Sequence, residues 1–489
     1  MTQRRFRTQF AVAAALALIG CTQLKQLPST TAPPTPTESA TDGEAESPLP
    51  GESPSPSASP SASPSPEAVA PKVSLTSPVA ATDFSATSVD VVFTVEPGPG
   101  RKVVEARITY DGKVLATFNQ NALTYRLDKW NPQITSGSDP TPVRFGDHTL
   151  AISVKDDAAQ EGKAELKFYK PLRMGAWKEA TAMPGPLAHA LAFNDAAFPP
   201  AYMVPWGVAT EPLEPPTAAT TAYNFNPAGD GSWTTVALTG DSVPRAAYGA
   251  AVHPGGPGKV YLVGGRTGTQ DLRSVELFSP LAKQAVKSLA VLTNARMKPA
   301  VAILDDHLYV IGGMRGAVAL NSVERVKLDT TGDPSGNFEA RADVPTARVG
   351  AHAIVVGKEI WLIGGGFKQI EAYDPAKNEW KALTNAAGAT LGTPETWSDA
   401  LMIPVNNRYY FFGGTKVDGQ AVNRIHELDP AAKTWRDLGA LPTVTGVADV
   451  DRPETAMAGC YENGHFYLMG GISLPEQKLT RKVFKGEAL

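Results

Sequence analysis

The chain has 489 residues, of which 42% are hydrophobic and 19% are charged. This composition excludes a mainly disordered protein, and the length predicts two or more domains because one core rarely organises so many residues. The formal net charge of -4 gives no global positive field for phosphates, so nucleic acid is not expected as a partner.

The N-terminus predicts export and a lipid anchor. Three arginines in residues 4–7 precede an apolar run from Phe10 to Ile19, which is too short to span a bilayer and fits a signal-peptide core. Leu18-Ile19-Gly20-Cys21 resembles the lipobox of bacterial lipoproteins. The resemblance implies that residues 1–20 are removed and that Cys21 is lipidated, although a plain secretory signal is an alternative. We expect the protein in the cell envelope, outside the cytoplasmic membrane, on the outer membrane or the cell surface.

Residues 21–71 predict a disordered linker. They are rich in Pro, Ser and Thr and almost free of large apolar side chains, so they cannot bury enough surface to offset the entropy of ordering. Alternating Pro and Ser favour extended spacers. We expect this segment to hold the folded part away from the anchor; a tail without a spacing role is the alternative. If Cys21 is acylated, Cys460 has no partner cysteine and no disulfide forms.

Residues 72–170 predict a β-sandwich. The stretch "ARITYDGKVLATF" reads as a hairpin whose turn, Asp111-Gly112, suits positive φ. The stretches "SVDVVFTVEPG", "GDHTLAISVKDD" and "KAELKFYK" supply further alternating strands. The pattern resembles bacterial Ig-like or fibronectin-type modules, without the cysteine and tryptophan framework of antibody domains. Such a module is expected to act as a spacer, and a binding role is the alternative.

The rest of the chain repeats one phrase five times. An apolar run ends in two glycines, at steps of about 48 to 57 residues: Gly264-Gly265, Gly312-Gly313, Gly364-Gly365, Gly413-Gly414 and Gly470-Gly471. The runs suit strands buried on both faces, and the glycines suit turns that need positive φ and close backbone approach. A third strand follows with a recurring glutamate: Glu276, Glu324, Glu371 and Glu427. A fourth carries an aromatic residue: Trp233, Phe338, Trp380 and Trp435.

These features resemble the kelch repeat, and "YDPAKNEW", Tyr373 to Trp380, matches its spacing closely. The resemblance implies an all-β fold with a kelch β-propeller over residues 171–489. Trp206-Gly207 marks a degenerate first blade. "MGAWKEATAMP" reads as a fourth strand without a blade and "RKVFKGEAL" as a third strand without a fourth, so the two ends are expected to complete one blade. We therefore predict six blades.

Ligand-binding candidates lie at the start of the first strand of each blade. Arginines on one arc of the channel mouth would face aromatic and charged residues on the other, which suits a carboxylate or a sugar acid. The residues are Arg245, Arg296, Arg348, Trp397, Asp399, Arg452 and Glu454. In the alternative, the arginines form salt bridges between blades. The recurring glutamates are expected to make inter-blade hydrogen bonds, and His189 and His352 are either cavity or core residues.

Two enzyme families with kelch propellers provide comparisons. The copper site of galactose oxidase uses tyrosines, histidines and a cysteine, but Cys460 is expected to be buried and the chain has 7 histidines. A sialic acid mutarotase would use arginines and an acid or base such as Glu454. Phosphate-loop, hydrolase-elbow and HExxH motifs do not occur. No cofactor is expected, and no metal, since the acidic pairs Asp156-Asp157 and Asp305-Asp306 are typical of solvated turns.

The preferred function is therefore a lipid-anchored binding protein whose propeller recognises a glycan or a protein partner without catalysis. The alternative is an enzyme that processes sugar acids. A scaffold within an envelope complex is a third possibility.

Overall fold

The computed structural model describes the chain from residue 69 onward, with gaps. The described residues are 69–79, 84, 88–132, 134–136, 139–142, 145–194, 201–210, 218–255, 258–441, 455–474 and 477–489. The predicted signal peptide and most of the predicted linker lie outside them. The regular elements in the described residues are all β-strands, and no helix there is long and apolar enough to cross a membrane. The chain divides into two compact units, with Pro171–Leu489 forming most of the larger one.

In the part of the smaller unit that the structure describes there are nine strands: β1 (Lys72–Ser77), β2 (Val89–Glu96), β3 (Val103–Tyr110), β4 (Lys113–Phe118), β5 (Thr124–Trp130), β6 (Ile134–Ser136), β7 (Asp139–Pro142), β8 (Gly146–Asp156) and β9 (Glu161–Lys170). Two antiparallel sheets have the orders β1-β2-β5 and β4-β3-β8-β9, and β6 pairs with β7. Strand β2 alternates buried and half-buried residues, so that Val91 and Phe93 enter a core shared with Ile108 and Ile152.

The predicted hairpin of the smaller unit is confirmed. Strands β3 and β4 pair antiparallel up to Tyr110 and Lys113. The two turn residues between them, Asp111 and Gly112, have φ values of 48° and 80°. An aspartate followed by a glycine tolerates these left-handed conformations, which match the twist of the flanking strands.

The described residues of the larger unit contain 32 strands, from β10 to β41. In chain order they are β10 (Met174–Ala180), β11 (Phe193–Asn194), β12 (Tyr202–Val204), β13 (Ala222–Asn226), β14 (Ser232–Val236), β15 (Gly249–Val252), β16 (Val260–Val263), β17 (Arg266–Thr267), β18 (Gln270–Asp271), β19 (Ser274–Ser279), β20 (Gln284–Val291), β21 (Ala300–Leu304), β22 (His307–Ile311), β23 (Met314–Arg315), β24 (Val318–Ala319), β25 (Val323–Leu328), β26 (Pro334–Arg341), β27 (Ala351–Val356), β28 (Glu359–Gly364), β29 (Glu371–Asp374), β30 (Glu379–Ala382), β31 (Trp397–Ser398), β32 (Leu401–Val405), β33 (Arg408–Phe412), β34 (Thr415–Lys416), β35 (Ile425–Asp429), β36 (Thr434–Gly439), β37 (Ala458–Glu462), β38 (His465–Met469), β39 (Ile472–Ser473), β40 (Lys478–Leu479) and β41 (Val483–Ala488).

Most of these strands form four-stranded antiparallel sheets. In chain order they are sheet 1 (β11-β12-β13-β14), sheet 2 (β15-β16-β19-β20), sheet 3 (β21-β22-β25-β26), sheet 4 (β27-β28-β29-β30), sheet 5 (β32-β33-β35-β36) and sheet 6 (β37-β38-β41-β10). Short ladders β17-β18, β23-β24, β31-β34 and β39-β40 accompany sheets 2, 3, 5 and 6. In sheet 6, β10 pairs antiparallel with β41, with Lys178 opposite Lys485. The two ends of the unit thus share one sheet, the pairing that the sequence predicted.

The second strand of each sheet is buried on both faces, as in Val260–Val263, whose four side chains are all buried. The glycines that follow meet the backbone closely. A Cβ on Gly264 would lie 2.3 Å from the carbonyl oxygen of Arg296, and one on Gly265 would lie 2.7 Å from that of Ala246. Both residues have positive φ. The predicted reason for the double glycine is therefore confirmed at this site.

Candidate functional site

Arg245, the first arginine of the predicted binding arc, is completely buried within sheet 2. Its Nη1 donates to the carbonyl of Gly264 at 2.8 Å, its Nη2 donates to the hydroxyl of Ser274 at 3.0 Å, and the same Nη2 forms an ion pair with Glu276. The guanidinium therefore joins the turn after the second strand to the third strand. Its donors are directed into the sheet.

Arg296 and Arg348 repeat this arrangement in sheets 3 and 4. Arg296 donates to the carbonyl of Gly312 at 2.9 Å and pairs with Glu324. Arg348 donates to the carbonyl of Gly364 at 2.7 Å and approaches Glu371 to 2.8 Å. Both side chains are at most 1% exposed. These contacts favour the structural alternative, although the salt bridges lie within sheets rather than between blades, and they leave the three guanidiniums poorly placed to hold a ligand carboxylate.

The recurring glutamates bind the segment that leads into their own sheet. Glu276 accepts a hydrogen bond from the backbone N–H of Val243 at 3.1 Å, and Glu324 accepts one from that of Thr293 at 2.6 Å. Each carboxylate thus fastens the connection that arrives from the preceding sheet, instead of bridging two sheets directly. Glu427 differs because its sheet lacks the arginine: it pairs with Arg436 at 2.6 Å.

Trp397 takes the arginine position in sheet 5. Its carbonyl accepts a hydrogen bond from the N–H of Gly366 at 3.1 Å, as the carbonyl of Arg348 does from Gly313 at 2.8 Å. The indole is fully buried and packs on Phe411, with ring centroids 5.0 Å apart. His352 lies nearby in the same core, and its Nε2 contacts the carbonyl of Ala400 at 3.0 Å. Burial lowers the pKa of His352 to about 4. Trp397 and His352 are therefore core residues.

Two residues beyond each arginine position, the backbone turns left-handed. The residue there has a φ between 53° and 65° in every sheet, whatever its type. These six residues, here called the collar, are His189, Ala247, Lys298, Gly350, Asp399 and Ala456. Because the conformation recurs at alanines as well as at polar residues, it belongs to the architecture.

Backbone hydrogen bonds join the collar residues in sheet order. The N–H groups of Lys298, Gly350, Asp399 and Ala456 each donate to the carbonyl of the preceding collar residue, at 2.7, 3.2, 3.4 and 3.2 Å. The N–H of His189 then donates to the carbonyl of Ala456 at 3.0 Å. The series thus runs from sheet 2 through sheet 6 and returns to sheet 1.

Polar and small side chains alternate around the collar. His189, Lys298 and Asp399 are separated by alanine or glycine. Lys298 Nζ lies 3.8 Å from Asp399 Oδ2, and the two side chains are 10% and 0% exposed. Among the described residues, no donor lies within hydrogen-bond distance of either Asp399 oxygen, and none pairs with His189 Nδ1. The collar therefore holds three polar residues, His189, Lys298 and Asp399, here called the collar cluster, in which the Asp399 carboxylate and His189 Nδ1 have no hydrogen-bond partner among the described residues.

The environment of the collar cluster shifts the pKa values of Asp399 and His189. Burial raises the pKa of Asp399 to about 7, with the charge of Lys298 opposing the shift. Burial, together with the charge of Lys298, holds the pKa of His189 well below its ordinary value. His189 is therefore neutral at physiological pH, and Asp399 exchanges a proton in that range.

Of the seven predicted site residues, only Asp399 belongs to the collar cluster. Arg452 and Glu454 lie outside the described residues; Glu454 immediately precedes Thr455, which is next to the collar residue Ala456. The sequence analysis missed Lys298. The available signal was its spacing, two residues after Arg296 in the same way that Asp399 is two residues after Trp397.

A second feature lies at the same end of the sheets. The residue before a collar position pairs with the segment after the double glycine, as in Ala246 with Arg266 and Met297 with Met314. Three consecutive sheets expose an apolar side chain in this segment: Val318 at 66%, Phe367 at 40% and Val417 at 62%. We call these three residues the apolar row.

An open depression of about 330 Å³ lies elsewhere on the unit. It is lined by Glu179, Ala182, Leu479, Thr480, Arg481 and Lys482. Lys482 Nζ contacts both carboxylate oxygens of Glu179, at 3.1 and 3.2 Å. The charges of Lys482 and Glu179 thus largely neutralise each other. The depression shares no residue with the collar or with the apolar row.

Comparison with known families matches this architecture. A family model described as "Kelch motif" matches residues 295–330, which include Arg296, the double glycine at Gly312 and the strand that carries Glu324. The chain carries kelch repeats. The larger unit is called the kelch unit from here on. Within the described residues, neither the kelch unit nor the smaller unit shows a group of three or more His, Cys, Asp or Glu side chains arranged to hold a metal ion.

The proteins that this chain resembles include Kelch-like proteins and an epimerase. Kelch-like protein 35 of Mus musculus is 25% identical over 173 residues, covering 35% of this chain and 28% of the relative. Kelch-like protein 23 of Homo sapiens is 24% identical over 200 residues, covering 40% and 33%. N-acetylneuraminate epimerase of Pasteurella multocida (strain Pm70) is 26% identical over 264 residues, covering 44% and 66%. The chain thus spans about a third of the length of these Kelch-like relatives.

Proposed function

We propose that this chain is an envelope binding protein in which the six sheets are blades of a closed kelch propeller that binds a protein partner. The anchor would be acylated Cys21, and the smaller unit would serve as an Ig-like spacer between linker and propeller. The apolar row carries this proposal. Three exposed apolar side chains, in the segments that follow the double glycines of consecutive sheets, are what a protein interface requires at its centre.

The chemistry around the apolar row indicates the kind of partner. Arg315 and Lys368 are exposed in the same segments, next to Val318 and Phe367 respectively. An apolar centre flanked by cations favours a partner segment that presents an apolar or aromatic side chain between acidic residues. Kelch repeats generally mediate protein binding, which supports a protein over a glycan for this surface.

A sugar-acid enzyme remains the second candidate, supported by the similarity to N-acetylneuraminate epimerase. The arginines that would hold the acid are already paired with Glu276, Glu324 and Glu371. Separating a buried pair leaves an uncompensated charge, at a cost of about 3 to 5 kcal/mol. The geometry therefore favours binding without catalysis.

Site-directed photo-crosslinking tests the proposal. A benzophenone amino acid is placed at Phe367 or Val417 in the full chain, in its native cell envelope. Leu281 provides the control position, since it is 60% exposed and apolar but lies in the turn between β19 and β20. We expect one common crosslinked protein from Phe367 and Val417 and none from Leu281. Absence of a common product, or the same product from Leu281, would contradict the proposal.

A further inference from the structure

Residues 480–482 of sheet 6 depart from the pattern that other sheets of the kelch unit repeat. Backbone hydrogen bonds define the equivalent positions. The N–H of Thr480 donates to the carbonyl of the second glycine of its sheet, as the N–H of one residue does in each of sheets 2, 3 and 5: Leu272, Leu320 and Val422. Those three residues are apolar. Among these four sheets, sheet 6 alone has a hydroxyl at this position.

The next residue, Arg481, lacks the structural role of its equivalents. In sheet 2, Nε of Arg273 donates to the carbonyl of Leu292 at 2.8 Å. In sheet 5, Oδ1 of Asn423 accepts from the N–H of Leu441 at 3.2 Å. Arg481 is exposed, and no hydrogen bond or ion pair joins its guanidinium to any described residue. Its donors are therefore not used to fasten the sheet.

The third residue, Lys482, takes the position of a serine. The N–H of the first glycine of the double glycine donates to the carbonyl of Lys482 in sheet 6 and to that of Ser274 in sheet 2. Ser274 binds the buried Arg245, whereas Lys482 contacts both carboxylate oxygens of Glu179. Both members of this pair line the open depression together with Arg481. The guanidinium is thus the one uncompensated charge among the lining residues.

The lining of the depression indicates the chemistry of its ligand. The volume of about 330 Å³ lies at the lower end of the range for small-ligand pockets, about 300 to 1,000 Å³. A guanidinium presents parallel N–H donors that match the two oxygens of a carboxylate, whose single charge balances its own. Ala182 and the half-buried Leu479 line the same depression. Their carbon surface favours a short aliphatic group beside the carboxylate.

We propose that this depression binds a carboxylate joined to a short aliphatic group, with Arg481 donating to both carboxylate oxygens. Leu479 packs against the aliphatic carbons, and Lys482 remains paired with Glu179 at the edge of the site. The carboxylate belongs either to a free carboxylic acid or to the C-terminus of a peptide. Because the depression shares no residue with the apolar row, this site does not depend on protein binding there.

Ligand-observed NMR with the full-length chain in detergent tests the site. The probes are isovalerate, a free acid, and N-acetylvaline, which has the same carbon skeleton and represents a peptide C-terminus; the uncharged N-acetylvalinamide is the control probe. The variant is Arg481→Gln, and the control is Arg173→Gln, an exposed arginine at the opposite end of β10 from Glu179. We expect at least one carboxylate to bind, with Kd raised about tenfold or more in Arg481→Gln and unchanged in Arg173→Gln.

Two further comparisons identify the source of the carboxylate and the part played by charge. A lower Kd for N-acetylvaline than for isovalerate assigns the site to a peptide terminus, and the reverse order assigns it to a free acid. Glu179→Gln is expected to lower the Kd of either carboxylate, because it leaves the charge of Lys482 uncompensated. Equal binding of N-acetylvaline and N-acetylvalinamide would contradict the proposal, since the amide carries no charge.

Labelling of the wild-type chain decides the matter if a variant does not fold. Phenylglyoxal modifies arginine side chains, and mass spectrometry measures the reaction at Arg481 and at Arg173 with and without each probe. A bound carboxylate is expected to slow the labelling of Arg481 alone. The proposal is overturned if neither carboxylate slows this labelling, or if a carboxylate binds folded Arg481→Gln with wild-type affinity. Crosslinking at Phe367 is expected to stay unchanged in Arg481→Gln, which separates this site from the apolar row.

Discussion

The backbone N–H of Gly265 donates to the carbonyl of Arg296 at 2.9 Å, and this bond links the end of the second strand of sheet 2 to the entry of sheet 3. The same relationship joins Gly313 to Arg348 and Gly366 to Trp397. The arginine therefore acts twice: its side chain fixes its own sheet while its carbonyl holds the preceding one. The recurring residues of the repeat therefore join neighbouring sheets. Function is expected at the positions whose residue type differs from one sheet to the next.

Substitution of Gly264 by alanine is expected to destabilise the kelch unit strongly. The added Cβ would lie 2.3 Å from the carbonyl oxygen of Arg296, and φ is 62°. Neither backbone can move without disturbing the link between sheets 2 and 3, so we expect a loss of about 2 kcal/mol or more. Gly268→Ala is the matched control because its φ is also positive, at 54°, and its Cβ would meet no atom within 4 Å.

Calorimetry of the full chain measures this difference as a shift in the Tm of the larger unit. Gly268→Ala is expected to cost only about 1 kcal/mol, the ordinary penalty for alanine at positive φ. Equal shifts in the two variants would show that the close approach at Gly264 does not limit stability.

Arg296→Met is expected to cost about 3 to 5 kcal/mol, because it leaves Glu324 buried without its cation. The double variant Arg296→Met/Glu324→Gln removes both charges and is expected to be more stable than the single one. The exposed Lys377, which pairs with Asp374 at the surface, provides the control, and Lys377→Met is expected to cost about 0.5 kcal/mol or less. Urea denaturation of the full chain gives the comparison. A single variant as stable as wild type would contradict the structural role assigned to the arginine.

The sequence predicted the scaffold better than the site, for a physical reason. Strand patterns and double glycines record local backbone requirements, so β3, β4 and the pairing of β10 with β41 could be predicted. The direction of Arg245, Arg296 and Arg348 could not, since an arginine type is compatible with both a cavity and a core. One signal was present: arginine and glutamate recur together in the same three repeats. Lys298 was missed because a left-handed conformation at a non-glycine residue leaves no mark in composition.

The lipid anchor is the part of the proposal that depends on sequence alone. Cys21→Ala is expected to abolish incorporation of labelled palmitate and to block processing of the signal peptide. Cys460→Ala provides the control, because that cysteine is buried in β37 and is not a lipidation site. Radiolabelling and fractionation of cells expressing each variant measure both effects. Continued labelling of Cys21→Ala, or loss of labelling in a folded Cys460→Ala protein, would contradict the anchor.

Asp399 gives the kelch unit a specific dependence of stability on pH. Its folded pKa, about 7, lies above the value near 3.9 of an unfolded aspartate. Between about pH 4 and pH 7 the folded state therefore binds more protons than the unfolded state, so this group lowers the free energy of unfolding as the pH rises. The charge of Lys298 offsets part of the free energy that burial of the ionised Asp399 costs, and His189 stays neutral over this range because its pKa is depressed.

Asp399→Asn removes the titration while keeping the shape of the side chain. Relative to wild type, we expect the variant to gain up to about 4 kcal/mol between pH 4 and pH 8. Urea denaturation at several pH values measures the difference, with Asp418→Asn, an exposed substitution, as the control. A constant difference between wild type and Asp399→Asn across this range would mean that Asp399 titrates in the folded protein as it does in the unfolded chain, and that the polar centre of the collar is solvated like the surface.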